Sequence, residues 1–216
     1  AAQHPPTAEE IAAAQSRVDW RALELRERAA DDGEHPEVRL LRAGMKIDRG
    51  ALIKGLALDG IAHSWAAGGA VNALADLGSS SILACGVNAE GEPWRIGIRN
   101  PRGESRSDLA ATVQLTDAML SASGDDERYF LYEGRRYHHL VDPRTGDPAE
   151  TGLASVTVIL PQDAMMGTMW AGHEGQLSDM LSTAIFVMGA ERGRSLLTDI
   201  PGAQLILIGT DGRVIE

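Results

Sequence analysis

Glycine outnumbers the aromatic residues by more than two to one in this chain. There are 24 glycines against four tryptophans, three tyrosines and two phenylalanines. A core this poor in rings has to be filled by small side chains, and by backbones that touch where a Cβ would hold them apart. The 216 residues are enough for one large domain or two small ones with a substantial core. A hydrophobic content of 44% excludes a wholly disordered chain.

The charge balance narrows the partners. Thirty-one acidic residues against 20 basic ones leave a formal charge of -11, which discourages nonspecific binding to nucleic acid or anionic membranes. The same field repels a free pyrophosphate unless a local device offsets it. A lone cysteine, Cys85, excludes an internal disulfide framework and any multi-cysteine zinc or iron–sulfur site. The sequence has no basic leader, no lipobox and no run of 18 apolar residues, so no transmembrane segment is expected; a removed signal stays open because the chain starts at Ala1.

Local patterns predict a mixed α+β domain with a largely antiparallel sheet and packed helices, without the strand–helix alternation of a doubly wound fold. Thr7 and Glu10 form a capping box ahead of a helix carrying Ile11, Ala14 and Val18 on one face. A turn at Asp31–Gly33 precedes a short strand near Val38–Leu41. Ile47 and Asp48 read as a strand end, and Leu52–Ala66 as a helix with Leu52, Leu56 and Ile61 inward. Strands are expected at Asn72–Leu77, Ile82–Cys85, Trp94–Ile98, Thr112–Leu115, Met119–Ala122, Tyr129–Tyr132, Val156–Leu160 and Gln204–Ile208. Helices are expected at Ser178–Met188 and Arg192–Asp199. Residues 163–176 read as an insertion loop in a chain that is either one domain or one part of a two-part domain.

Three clusters can carry chemistry. In Asp48–Gly55, Gly50 allows an unusual turn, exposed N–H groups at a helix start can receive phosphate oxygens, and Lys54 adds mobile positive charge. The alternative is a structural glycine, with Lys54 and Asp59 as solvated helix residues. In Tyr137–Gly146, Pro143 and Gly146 bracket a tight turn, and His138 and His139 face opposite ways on a strand. His139 then stands beside a nucleotide or nucleophile, or packs beneath a turn capped by Asp142. In Leu177–Thr183, Asp179 and Thr183 share one helix face, as oxygen ligands for a hard cation such as Mg²⁺ do, or else they serve helix capping and hydroxyl back-bonding.

In this order and spacing, the segments DRGALIKGLALD, NALADLGSSSILACG, SASGDDERYFLYEGRRYHHLVDPRTGDPA, ASVTVILP and SDMLSTAIFVMG resemble the ApbE-type flavin transferases, or FAD:protein FMN transferases. The resemblance runs from about Thr7 to Val214. It implies Mg²⁺-dependent transfer of the FMN moiety of FAD to a threonine or serine hydroxyl of an acceptor protein, with release of AMP. The acceptors implied are subunits of membrane redox complexes, and the location implied is periplasmic or extracytoplasmic, with a cytoplasmic one left open.

On matching positions the resemblance implies that Asp48 and Lys54 contact FAD, that the Ala51 carbonyl helps hold Mg²⁺, and that Val141 and Asp142 belong to the flavin site, with His139 and Asp142–Gly146 closing around it. The resemblance also implies that Asp179 and Thr183 are the side-chain metal ligands, with Ser182 contributing nearby. His139 and Asp179 are both candidates for the catalytic base. Three departures stand out. The family pattern has a region before Thr7 with a Met-Gly-Thr strand, and it often has a second glycine where this chain has Ser79. QDAMMGTMWAGHEGQL is longer than the usual connection; its Met166-Gly167-Thr168 is either a relocated flavin-contacting strand or a chance recurrence in a loop. A noncatalytic flavin binder, a family-derived interaction protein and an FAD hydrolase are the competing functions.

Overall fold

The computed structural model describes residues 4–26 and 37–215. Helix α1, Ala8–Gln15, starts with the expected capping box: Thr7 Oγ1 accepts from Glu10 N, and the Glu10 carboxylate accepts from Thr7 N. The hairpin β1 (Leu23–Arg26) and β2 (Glu37–Leu40) follows. The turn expected at Asp31–Gly33 lies outside the described residues.

Helix α2 spans Ile53–Gly68. Strands β3 (Ala73–Asp76) and β4 (Ser81–Cys85) form a hairpin, as do β5 (Trp94–Arg99) and β6 (Leu109–Leu115). Next come β7 (Ala118–Gly124) and the hairpin β8 (Tyr129–Tyr132) and β9 (Arg135–His138). Strand β10 (Leu153–Pro161), helices α3 (Glu174–Met188) and α4 (Ala190–Leu197), and strands β11 (Gln204–Gly209) and β12 (Val214–Ile215) complete the chain.

Six strands form one sheet in the order β12-β11-β10-β7-β4-β3, and each pairing is antiparallel. The sheet is a middle layer. Val156, Val158, Leu160 and Leu207 face α3 and α4, while Leu83, Cys85 and Met119 face α2. Ile82, Ala84, Leu120, Ile159 and Ile208 point to the opposite face, where Ile96, Ile98 and Leu115 of the β5–β6 hairpin cover them. Burial on both faces explains why β4 and β10 read as nearly unbroken apolar runs rather than alternating ones.

The glycine excess finds its use where α2 meets α3. A Cβ on Gly55 would stand 2.5 Å from the Gly175 carbonyl carbon and 2.7 Å from Gln176 Cα. A Cβ on Gly175 would stand 2.6 Å from the Gly55 carbonyl oxygen. The two helix starts thus cross backbone on backbone, and only glycine fits on either side.

Some expectations fail. Ile47 and Asp48 lie in a loop, without strand pairing. Leu56 is 44% exposed, because α2 turns Gly55, Leu58 and Asp59 inward instead. The loop after β10 ends earlier than expected, since α3 begins at Glu174. Met166-Gly167-Thr168 forms turns and no strand, with Met166 75% exposed.

Candidate active site

A cavity of about 470 Å³ opens where the start of α2, the end of β7, the segment after β9 and the middle of α3 converge. Its lining includes Asp48, Gly50, Ala51 and Lys54 from the first cluster, His139, Leu140 and Val141 from the second, and Asp179, Thr183 and Val187 from the third. Residues remote in sequence therefore share one wall. Ala122, Ser123, Gly124, Glu127 and Arg128 complete it; all five lie in a segment that carries the family resemblance, but none was given a role there.

Asp179 is only 4% exposed, and its Oδ2 accepts the Gly55 N–H at 3.0 Å. The carboxylate thus sits on the N-terminal end of α2, where the helix dipole favours negative charge. Burial nevertheless dominates and raises its pKa, against the lowering effects of the Gly55 N–H and the Lys54 charge. The Gly55 N–H is consequently buried and taken, not exposed to a phosphate as the sequence suggested. Lys54 is half-buried rather than freely mobile: its Nζ donates to Ser80 Oγ.

Asp59 is not solvated either. It is 7% exposed and accepts from Gly175 N at 2.7 Å and Gln176 N at 3.0 Å, capping α3 from the neighbouring helix. The two helices are therefore clamped reciprocally: Asp179 of α3 takes an N–H of α2, and Asp59 of α2 takes N–H groups of α3.

The histidines part as predicted. His138 turns inward, edge-on to Phe186 with ring centroids 5.5 Å apart, and burial lowers its pKa. His139 is exposed on the cavity wall and does not pack beneath the turn. Its Nδ1 lies 3.3 Å from the Arg128 carbonyl oxygen. Desolvation first, then the Arg128 charge, lowers its pKa from the ordinary 6.5.

Two expected site residues stay off the cavity wall. Asp142 is buried in its own turn, where its carboxylate accepts the Arg144 N–H at 2.9 Å and the Arg144 guanidinium at 2.6 Å. Arg144 holds the Asp142 carboxyl below its ordinary pKa. That is the turn-capping role, and it presents the neighbouring Val141 to the cavity. Ser182 is fully buried, with its Oγ on the Asp179 carbonyl oxygen at 2.9 Å. Among the described residues no group of three His, Cys, Asp or Glu can hold a metal ion. The donors that do share the cavity, Asp179, Thr183 and Ala51, supply oxygen only, which suits a hard cation that keeps few protein ligands.

The ApbE family model matches residues 1–207. This chain belongs to the ApbE family. The FAD:protein FMN transferase of Treponema pallidum is 35% identical over 97% of this chain and 56% of its own length. That of Haemophilus influenzae is 30% identical over 95% and 55%. Among solved structures, the ApbE protein of Thermotoga maritima superposes with a TM-score of 0.75 at 32% identity, covering 99% of this chain and 62% of that one. The flavin transferase ApbE of Vibrio cholerae gives 0.76 at 25% identity, covering 100% and 61%. The ApbE chain described here spans about half the length of the curated relatives it matches.

Proposed function

We propose that this chain carries the transfer machinery of an FAD:protein FMN transferase, moving the FMN moiety of FAD to a threonine or serine hydroxyl of an acceptor protein and releasing AMP. The observation that carries this reading is the convergence of Asp48, Lys54, His139, Val141, Asp179 and Thr183 on one cavity, in a chain whose named relatives are FAD:protein FMN transferases.

Asp179, Thr183 and the Ala51 carbonyl would hold Mg²⁺, which when bound neutralises pyrophosphate charge. Lys54 brings a second positive charge to the same wall, which answers the repulsion expected from a net charge of -11. His139 is the base we favour. Its lowered pKa keeps the ring neutral near pH 7, and an Nδ1–H donated to the Arg128 carbonyl leaves Nε2 as a proton acceptor. Asp179 is less suited, because its carboxylate is held by the Gly55 N–H and belongs to the ligand set. The acceptor oxygen forms a bond to the FMN phosphorus, the bond from that phosphorus to the AMP oxygen breaks, and the hydroxyl proton passes to His139 Nε2. The family resemblance alone supports an acceptor from a membrane redox complex and an extracytoplasmic location. Among the described residues, no helix is long and apolar enough to cross a membrane.

The test incubates the chain with FAD, Mg²⁺ and a candidate acceptor, and follows protein mass and nucleotide products. An FMN-sized mass gain on the acceptor, with stoichiometric AMP, is expected. FMN and AMP without labelled protein would replace transfer by hydrolysis, and FAD binding without either product would leave a flavin-binding protein.

A further inference from the structure

Three hydroxyls and one carbonyl form a chain between β7 and α3. Ser123 Oγ lies 2.9 Å from Ser182 Oγ and 3.0 Å from Thr183 Oγ1, and Ser182 Oγ donates to the Asp179 carbonyl oxygen at 2.9 Å. Each hydroxyl owns a single proton, and a carbonyl oxygen only accepts. The Ser182 proton is therefore committed to Asp179. Ser182 can then only accept from Ser123, and Ser123, its proton used, can only accept from Thr183. The end of the chain fixes the direction of every link: Thr183 to Ser123 to Ser182 to the Asp179 carbonyl.

This direction matters at Thr183, which lines the cavity beside Asp179. With its proton drawn to Ser123, Thr183 Oγ1 keeps a lone pair that carries no competing proton. A freely rotating hydroxyl would place its proton toward a cation for part of the time. We propose that Ser123 and Ser182 are positioning residues that hold Thr183 as an acceptor-only oxygen for a hard divalent cation. The proposal rests on the reading that such a cation binds between Asp179 and Thr183. It also gives Ser182 a different part from the ligand that the sequence suggested, since the residue acts through Ser123.

The fold supplies its own control. One turn earlier on α3, Ser178 Oγ donates to the Gly175 carbonyl oxygen at 2.9 Å and pairs with Ser121 Oγ at 2.9 Å. This second relay repeats the serine–serine and serine–carbonyl bonds on the same two elements without the threonine link, is fully buried, and is absent from the cavity wall. Loss of Ser121 removes a comparable hydrogen bond with no connection to Thr183.

The experiment titrates Mn²⁺, as the probe cation, into the full chain with and without FAD, and follows free Mn²⁺ by electron paramagnetic resonance. Thermal melting is recorded alongside. Ser123→Ala should weaken Mn²⁺ binding by about tenfold or more, the usual effect of removing a partner that orients a metal ligand. Ser182→Ala should weaken it in the same direction, Ser123→Thr should restore it, and Ser121→Ala should leave it unchanged. Equal Mn²⁺ affinity in wild type and Ser123→Ala, or equal losses in Ser123→Ala and Ser121→Ala, would overturn the relay alone. A folded wild type that binds no Mn²⁺ in either condition would overturn the cation reading itself, and the relay with it.

Discussion

Gly55→Ala tests whether the backbone contact between α2 and α3 holds the site together. Ordinarily this change favours a helix by about 1 kcal/mol. Here the new methyl would stand 2.5 Å from the Gly175 carbonyl carbon and 2.7 Å from Gln176 Cα, whereas ordinary contact starts at 3.4 Å. Backbone cannot rotate away as a side chain can, so the helices must separate, at a cost near the upper end of the roughly 1–3 kcal/mol typical of overpacking. Separation also stretches the buried bond from Gly55 N to Asp179, worth about 1.5–3 kcal/mol for a charged acceptor. Less the roughly 1 kcal/mol of helix propensity gained, the net loss is about 3–5 kcal/mol. At about 2–4 °C per kcal/mol for a domain of this size, Tm should fall by roughly 6–20 °C.

Gly60→Ala is the matched control. It lies in the same helix, is exposed, and its Cβ would meet nothing within 4 Å, so Tm should rise by about 2–4 °C. Thermal melts of the two variants by far-ultraviolet circular dichroism decide the matter. If Gly55→Ala melts as high as Gly60→Ala, the close crossing does not constrain the fold and the reasoning is wrong.

Two further outcomes are expected. Ser79 holds a left-handed φ of 65°, so Ser79→Gly should add about 0.5–1 kcal/mol by removing the Cβ penalty; a lower Tm in urea-free melts would contradict this. Because burial raises the Asp179 pKa, the stability linked to this group is full at low pH and is lost as pH rises through the raised value. In chelator-treated protein, Asp179→Asn should therefore melt above wild type at neutral pH, with the gap closing on acidification. A gap that widened toward acid would reverse the sign of the argument.

The elements with strong local signals were legible in the sequence. The Thr7–Glu10 box, the apolar runs of β4 and β10, and most of α3 follow from residues adjacent on the chain. The short polar strand Leu23–Arg26 was not, because its alternation is too brief to register, and the strand carrying His138 was read without its start at Arg135. Leu56 misled because the inward stripe of α2 contains a glycine and an aspartate, and both are buried by the partner helix rather than by hydrophobicity. The site divides in the same way. Lys54, His139, Asp179 and Thr183 stood out by residue type, whereas Val141 and the role of Asp48 came only from the family resemblance; all six line the cavity. Ser80 and Ser123 were missed because a buried serine shows its use only through a partner on another element.

The cavity also sets when in its life this chain can bind anything. Strand β7 pairs with β4 before it and β10 after it, so the sheet forms by closing long loops, a route that makes folding slow. Asp48 and Lys54 arrive with α2, and Asp179 and Thr183 come only with α3. A chain still on the ribosome lacks the α3 side of this cavity until Asp179 and Thr183 have emerged. Ligand capture therefore waits for α3, and by mass action a bound ligand draws α2 and α3, more than a hundred residues apart on the chain, into a single folding equilibrium.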